Sequence, residues 1–226
     1  MSTPLQSFEF HPAGDAVASI VVLHGLGADG TDFLPFADQV DLSAIGPVRW
    51  VLPRAPVRPV TVNNGYRMRA WYDIYEFGAQ ARTDPREDEA GLRDSFSAVH
   101  ALIEREIARG VPASRIVLAG FSQGCAITLG AGTRFGQRLA GLVGMSGYLP
   151  LAATTAAERS DANRSTPIFL AHGRRDPVVG LDRGTASRDL LAGLGYGIEW
   201  HDYPMEHSVS AEEVAHLQRF LLKVLA

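Results

Sequence analysis

The stretch that decides the fold runs Ile116-Val-Leu-Ala-Gly-Phe-Ser-Gln-Gly-Cys-Ala-Ile-Thr-Leu129. An apolar run of strand length comes first, then the pattern Gly-x-Ser-x-Gly, then an apolar segment with helical spacing. A serine on a tight strand-to-helix turn has a strained backbone, and side chains two residues before and after it would collide with neighbouring elements. Gly120 and Gly124 meet that requirement. The pattern alone is weak, but in this context it predicts that Ser122 is a nucleophile at a helix N-terminus, which favours developing negative charge.

Apolar runs of strand length recur along the chain, at residues 18–23, 48–52, 115–120, 139–145, 167–171 and 197–203. Such runs are typical of a parallel sheet that is covered on both faces. Helical periodicity lies between them, most clearly at residues 87–109, and a capping box from Ser210 to Glu213 opens a C-terminal amphipathic helix. We therefore predict one α/β domain over residues 1–226, with a mostly parallel sheet and no large lid. Residues 53–78 and 148–166 lack a clear pattern, and long loops in a compact domain are often functional.

The composition excludes several classes of protein. The 25 acidic and 21 basic residues give a net charge of −4, with no basic run that could follow a phosphate backbone, so we expect no nucleic-acid partner. The single cysteine, Cys125, excludes an intrachain disulfide framework; it falls within the helix after the turn and is predicted to pack in the core. The N-terminal residues lack a secretory signal, and no run of about 18 apolar residues occurs. We expect a cytoplasmic protein without stable membrane insertion.

A serine hydroxyl needs a base to take its proton, and the base needs a carboxylate to fix its tautomer. For a nucleophile on such a turn, the usual chain order is nucleophile, acid, histidine. His207 lies in the loop between the last predicted strand and the capped helix, so we predict that it is the base. Packed or solvated positions are expected for His201, in a strand, and His216, in the last helix, whereas His172 ends a strand directly before Gly173.

The acid must follow an earlier strand, and Asp176 stands just beyond the predicted strand at 167–171. Four rivals lie in less suitable places and are expected to be solvated: Asp161, Asp182, Asp189 and Asp202. We therefore predict that Asp176 orients His207.

Attack on a carbonyl creates an oxyanion, which needs two backbone N–H donors. Gln123, directly after the serine, is the first predicted donor, and Leu26, in the glycine-rich loop after the strand at 18–23, is the second. His24 is expected to hold this loop through hydrogen bonds.

The same loop contains Gly-x-Gly-x-x-Gly at residues 25–30, a pattern that also occurs in dinucleotide-binding enzymes. That alternative requires an acid at the end of the next strand, where Pro53 and Arg54 stand instead.

With these residues in place, the chain resembles the phospholipase/carboxylesterase family of α/β-hydrolases, which includes bacterial carboxylesterases and acyl-protein thioesterases. The resemblance rests on residues 23–30, 53–56, 69–73, 120–124, 172–179 and 205–207, which follow the family's order. It implies the α/β-hydrolase fold, the triad and oxyanion donors above, no metal or cofactor, and an acyl pocket bordered by the aromatic loop. Trp71 would line that pocket, and Val178 and Val179, which flank the acid, are further candidates.

The function that we predict is hydrolysis of carboxylic esters with short to medium acyl chains through an acyl-enzyme on Ser122. The alternative is an acyl-protein thioesterase or lysophospholipase that acts on longer chains, and acyl-pocket depth would decide between the two. A non-catalytic binding protein with the same fold is a more distant alternative, since such proteins usually lack a triad residue. The family contains homodimers, but a single sequence leaves the oligomeric state open.

Overall fold

The computed structural model describes residues 5–10, 14–76 and 86–226, and its centre is a seven-stranded sheet with the order β1-β3-β2-β6-β7-β8-β9. All neighbouring pairs are parallel except β1 with β3. The strands are β1 (Ser7–Phe10), β2 (Ala18–Leu23), β3 (Val48–Pro53), β6 (Ile116–Phe121), β7 (Gly141–Met145), β8 (Ile168–Gly173) and β9 (Ile198–Tyr203). The predicted strands and the mostly parallel sheet are confirmed. The short edge strand β1 has a half-buried pattern and was not predicted.

Six helices are described: α1 (Leu34–Ala37), α2 (Glu89–Ala108), α3 (Gln123–Arg134), α4 (Ala152–Glu158), α5 (Leu181–Gly193) and α6 (Ala211–Val224). One face of the sheet is covered mainly by α2, α3 and α5, through residues such as Phe96, Ile127 and Leu191. The other face is covered by α1 and α6, through residues such as Phe36 and Phe220. The buried residues of β2 and β6 therefore pack into two separate cores, which explains their continuous apolar sequences.

The two stretches without a clear pattern contain short elements. Residues 53–78 include the hairpin of β4 (Val57–Val60) and β5 (Tyr66–Arg69), and residues 77 and 78 lie outside the described residues. Residues 148–166 include the short helix α4. The predicted capping box of α6 is half formed: the Glu213 N–H donates to Ser210 Oγ at 3.1 Å, whereas the Glu213 carboxyl oxygens have no hydrogen-bond partner among the described residues. No helix in the described ranges has the length and apolar character that crossing a bilayer would require.

Candidate active site

Ser122 lies on the tight turn between β6 and α3, with φ 56° and ψ −117°. A Cβ atom on Gly120 would come within 2.2 Å of the Gly124 carbonyl oxygen, and one on Gly124 would come within 2.1 Å of the Leu23 carbonyl oxygen. The two glycines therefore let β6, β2 and α3 approach closely enough to form the turn. The Ser122 N–H donates to the Met145 carbonyl at 2.9 Å, which ties the turn to the neighbouring strand β7. The predicted strain at the serine is present.

Ser122, His207 and Asp176 form a continuous hydrogen-bonded chain. Ser122 Oγ lies 2.9 Å from His207 Nε2, and His207 Nδ1 lies 2.7 Å from Asp176 Oδ2. The other Asp176 oxygen accepts the N–H groups of Val178 and Val179 at 2.8 and 2.9 Å. Burial alone would raise the pKa of Asp176, but the hydrogen bonds from His207 and these backbone groups lower it overall. The ionised carboxylate keeps the hydrogen of His207 on Nδ1, so Nε2 is free to accept the serine proton.

The loops that carry the acid and the histidine are joined through their backbones. Arg174 N–H donates to the Tyr203 carbonyl at 2.8 Å, and Arg175 N–H donates to the Met205 carbonyl at 3.1 Å. The His207 ring packs against Phe121, with 4.7 Å between ring centroids. These contacts fix His207 between the nucleophile and the acid.

His172 supports the acid loop, a role that was not predicted from the sequence. It is buried at the end of β8, its Nε2 donates to the Val179 carbonyl at 2.8 Å, and the same atom lies 3.6 Å from Asp176 Oδ2. Burial lowers the pKa of His172, which favours the neutral ring. Its position at the end of β8, four residues before Asp176, is the signal that could have pointed to this role.

The two predicted oxyanion donors face one cleft. Leu26 and Gln123 both line it, together with Ser122 and His207. Gln123 is the first residue of α3, so its N–H has no acceptor within the helix, and no described backbone group accepts the Leu26 N–H. His24 holds the loop as predicted: its Nε2 accepts the Ala55 N–H at 3.0 Å, so its Nδ1 donates to the Gly25 carbonyl at 2.7 Å. Burial lowers the pKa of His24, in keeping with this neutral form.

Trp71 does not line the cleft, contrary to our expectation. It is completely buried behind the oxyanion loop, where its indole N–H donates to the His24 carbonyl at 2.9 Å. The Gln123 side chain accepts the Trp71 N–H and donates to the Tyr72 carbonyl, both at 2.8 Å. The indole is turned inward because this acceptor and the His24 ring, with 5.3 Å between centroids, lie on that side. Trp71 therefore braces the oxyanion loop, and Tyr72 stands at the cleft in its place.

The cleft has a volume of about 570 Å³, which lies within the usual range for small-molecule sites. Part of its wall is apolar and is formed by Leu26, Phe33, Phe36, Phe121 and Val209. Another part carries polar groups, among them Tyr72, Tyr148 and Arg183. Val178 and Val179 also line the cleft, as the resemblance implied.

Cys125, the single cysteine, plays no part at the cleft. Cys125 is buried in the core as predicted, and burial raises the pKa of its thiol, which keeps it protonated. Within residues 5–10, 14–76 and 86–226, no group of three or more His, Cys, Asp or Glu side chains is arranged to hold a metal ion.

Comparison with known proteins agrees with this geometry. Residues 9–225 match the family described as Phospholipase/Carboxylesterase. Acyl-protein thioesterase 1 of Yarrowia lipolytica is 38% identical over 208 residues, with 90% of each chain covered. The protein of the same name from Schizosaccharomyces pombe is also 38% identical, with 100% of this chain and 99% of the relative covered. The crystal structure of Arabidopsis thaliana SOBER1 superposes with a TM-score of 0.86 at 31% identity, over 92% of this chain and 99% of that one.

Proposed function

Since the chain belongs to the phospholipase/carboxylesterase family of α/β-hydrolases and is a serine hydrolase of carboxylic esters, we propose that it is a thioesterase for medium to long acyl chains. The observation that carries this proposal is the Ser122–His207–Asp176 chain, which opens onto a cleft with an apolar wall. The names of the relatives support a thioesterase over the carboxylesterase for short to medium acyl chains that was predicted from the sequence. A cytoplasmic location belongs to the same proposal and rests on the single cysteine.

The reaction that fits this geometry has two halves. In the first, His207 Nε2 takes the Ser122 proton as Oγ attacks the acyl carbonyl, and the N–H groups of Leu26 and Gln123 stabilise the oxyanion. His207 then gives the proton to the departing sulfur or oxygen, which leaves an acyl-enzyme on Ser122. In the second half, water attacks that ester with His207 again as base, and the carboxylic acid and free Ser122 are released.

The apolar part of the cleft wall predicts a preference for longer acyl chains. Phe33 and Phe121 lie with 6.3 Å between ring centroids, and Phe33 and Phe36 with 5.9 Å, so three aromatic rings form one continuous surface beside the nucleophile. Each methylene that is removed from water contributes about 0.8 kcal/mol, which corresponds to roughly fourfold in kcat/KM if the contact is kept in the transition state. We expect kcat/KM to rise with acyl length until this surface is covered.

The test is a series of p-nitrophenyl esters from acetyl to palmitoyl, together with alkyl thioesters of the same acyl groups. We expect the optimum at octanoyl or longer, and turnover of the long-chain thioesters at least equal to that of the matched oxygen esters. An optimum at acetyl or butyryl, with little thioester turnover, would instead establish the short-chain carboxylesterase.

Two variants show whether the measured activity belongs to this site. Ser122→Ala should lose nearly all turnover, by about 10⁴-fold or more, while its melting temperature stays close to that of the wild type. Ser97→Ala is the matched control, since Ser97 is exposed on α2 and donates only to the Arg93 carbonyl. Full activity in Ser122→Ala would refute the assignment of the nucleophile.

A further inference from the structure

Arg183 has an unusual position among the charged side chains of the cleft. It lies in the first turn of α5, and its guanidinium carbon stands 3.4 Å from the centre of the Tyr148 ring. At that distance the planar group stacks flat on the ring, so its N–H donors point outward from the edge. No described residue offers these donors a hydrogen-bond acceptor or an ion-pair partner.

The other charged groups along the described cleft wall are already engaged. Asp32 accepts the Asp29 N–H, Asp73 accepts from Thr61, Glu87 accepts the Leu151 N–H, and Glu76 pairs with Arg86 at 3.5 Å. Burial raises the pKa of Glu87, and the charge of Arg183 offsets part of that rise without a direct ion pair between the two side chains. Arg183 is therefore the cation on this wall whose hydrogen-bonding capacity is unused within the described ranges.

The ring beneath Arg183 is itself held in place. Tyr148 and Tyr72 share a hydrogen bond of 2.8 Å between their hydroxyl groups, and burial raises the pKa of Tyr72 well above its usual value. A pair of hydroxyls has two hydrogens, and the bond between them uses one. The second hydroxyl hydrogen is therefore available as a donor on the same wall of the cleft as Arg183.

We propose that Arg183, supported by the Tyr148–Tyr72 pair, binds an anionic oxygen group in the leaving portion of the substrate. The acyl chain is apolar and fits the aromatic surface of Phe33, Phe36 and Phe121. The polar wall remains for the portion that departs as a thiol or alcohol, and a guanidinium edge is suited to a carboxylate or phosphate. This inference rests on the proposed function and narrows its substrate class to thioesters and esters with an anionic leaving portion.

The experiment compares substrates that differ only in that anion, with one acyl group throughout. The first arm uses octanoyl thioesters of 3-mercaptopropionate and of the neutral 3-mercaptopropanol. The second arm uses 1-octanoylglycerol 3-phosphate and 1-octanoylglycerol. The readout is the ratio of kcat/KM for the anionic substrate to that for its neutral partner. We expect a ratio of about tenfold in at least one arm, and the arm with the larger ratio identifies carboxylate or phosphate as the preferred group.

Arg183→Gln should bring the ratio to within about twofold of unity, and Arg183→Lys should keep part of it because the charge remains while the stacking is lost. Arg188→Gln is the matched control: Arg188 lies on the same helix, but it pairs with Asp189 and stands over Trp200. The preference should also weaken as ionic strength rises. A ratio near unity in both arms for the wild type, or an equal loss with anionic and neutral substrates in Arg183→Gln, would overturn the proposal.

The ratio is independent of absolute turnover and of the preferred acyl length. A failure of the anion proposal therefore appears as an unchanged ratio in an active enzyme. A failure of the proposed function appears as absent thioester turnover or as full activity in Ser122→Ala.

Discussion

Two buried carboxylates stand at opposite edges of the sheet and are used in different ways. Asp176 follows the carboxyl end of β8, whereas Glu106, near the end of α2, meets the amino ends of β2 and β3. Glu106 accepts hydrogen bonds of 2.8 Å from each of three side chains, Ser19, Arg49 and Arg109. In both cases burial alone would raise the pKa of the carboxyl group, and its hydrogen-bond partners lower the pKa overall.

The difference lies in where each network ends. The partners of Glu106 connect β2 and β3 to α2, so the Glu106 carboxylate stabilises the packing of these elements. The partner of Asp176 is a histidine whose second nitrogen faces Ser122 and the cleft. We call the Glu106 network closed, because its members only hold elements of the fold together. We call the Asp176 network open, because it ends at His207 Nε2, which accepts the Ser122 proton at the cleft. Substitution in the Asp176 network should therefore lower kcat, and substitution in the Glu106 network should lower the free energy of unfolding.

The largest effect is expected from Asp176→Asn. The asparagine carbonyl can still accept the N–H groups of Val178 and Val179, but its amide then donates to His207 Nδ1. The histidine hydrogen moves to Nε2, which can no longer accept the Ser122 proton, so kcat should fall by about 10⁴-fold. Steady-state kinetics on the best ester measures this loss.

The melting temperature of Asp176→Asn should change little, because the backbone bonds of the loop remain. Asp161→Asn is the control, because Asp161 also follows Ser122 in the chain but its side chain is 85% exposed. A fall in kcat of less than about tenfold for Asp176→Asn would show that the carboxylate does not set the tautomer of His207.

The second effect concerns stability alone. Glu106→Gln removes the buried negative charge that accepts hydrogen bonds from Ser19, Arg49 and Arg109, and loss of one member of a buried ion pair costs about 3–5 kcal/mol of unfolding free energy. Urea denaturation should show this loss, while kcat measured well below the unfolding transition stays within about twofold of the wild type. Glu104→Gln, at an exposed position on the same helix, should change neither quantity. A variant that lost activity in proportion to stability would contradict the separation of the two networks.

The parts of the site that the sequence predicted are those set by local rules. Gly120 and Gly124 reveal the turn because their requirement is steric and lies within five residues. Asp176 and His207 follow from chain order, since the carboxyl ends of parallel strands meet at one edge of the sheet. Each of these positions needs only the succession of strands and helices, which apolar periodicity shows well.

The features of the site that the sequence did not predict depend on contacts between segments that are distant in the chain. Trp71 was expected at the cleft, but its orientation is decided by the His24 carbonyl, 47 positions away in the sequence. His172 and the side chain of Gln123 gain their roles from the loops that they meet, not from any pattern around them. The second half of the α6 capping box fails for a related reason, because Glu213 is buried against the body of the protein.

Glu213 sharpens the comparison, because it is a buried carboxyl group without hydrogen-bond partners among the described residues. Burial raises its pKa to about 8. Between about pH 4.5 and pH 8 the folded protein keeps this proton and the unfolded chain loses it. The stability that this protonated group contributes is therefore fully present below that window and falls as pH rises, by about 1.4 kcal/mol per pH unit.

Urea denaturation from pH 5.5 to 8.5 tests this dependence. Glu213→Gln should flatten the decline and be more stable than the wild type near pH 8, whereas Glu212→Gln, at an exposed position beside it, should follow the wild type. Parallel pH profiles for the wild type and Glu213→Gln would show that the buried carboxyl group does not titrate in this range.

The smallest effect is expected from Trp71→Phe, which tests how far the open network depends on its surroundings. The change keeps an aromatic ring and removes the indole N–H that donates to the His24 carbonyl. One such hydrogen bond contributes about 1 kcal/mol, and a looser oxyanion loop should lower kcat by roughly fivefold with little change in KM.

Trp50→Phe is the matched control, since Trp50 packs in the core on the other face of the sheet, against Phe10 and Phe36. If both variants lost kcat equally, the effect would come from general loosening of the core. A loss confined to Trp71→Phe would show that the oxyanion donors are positioned by a bond that lies outside the Ser122–His207–Asp176 chain.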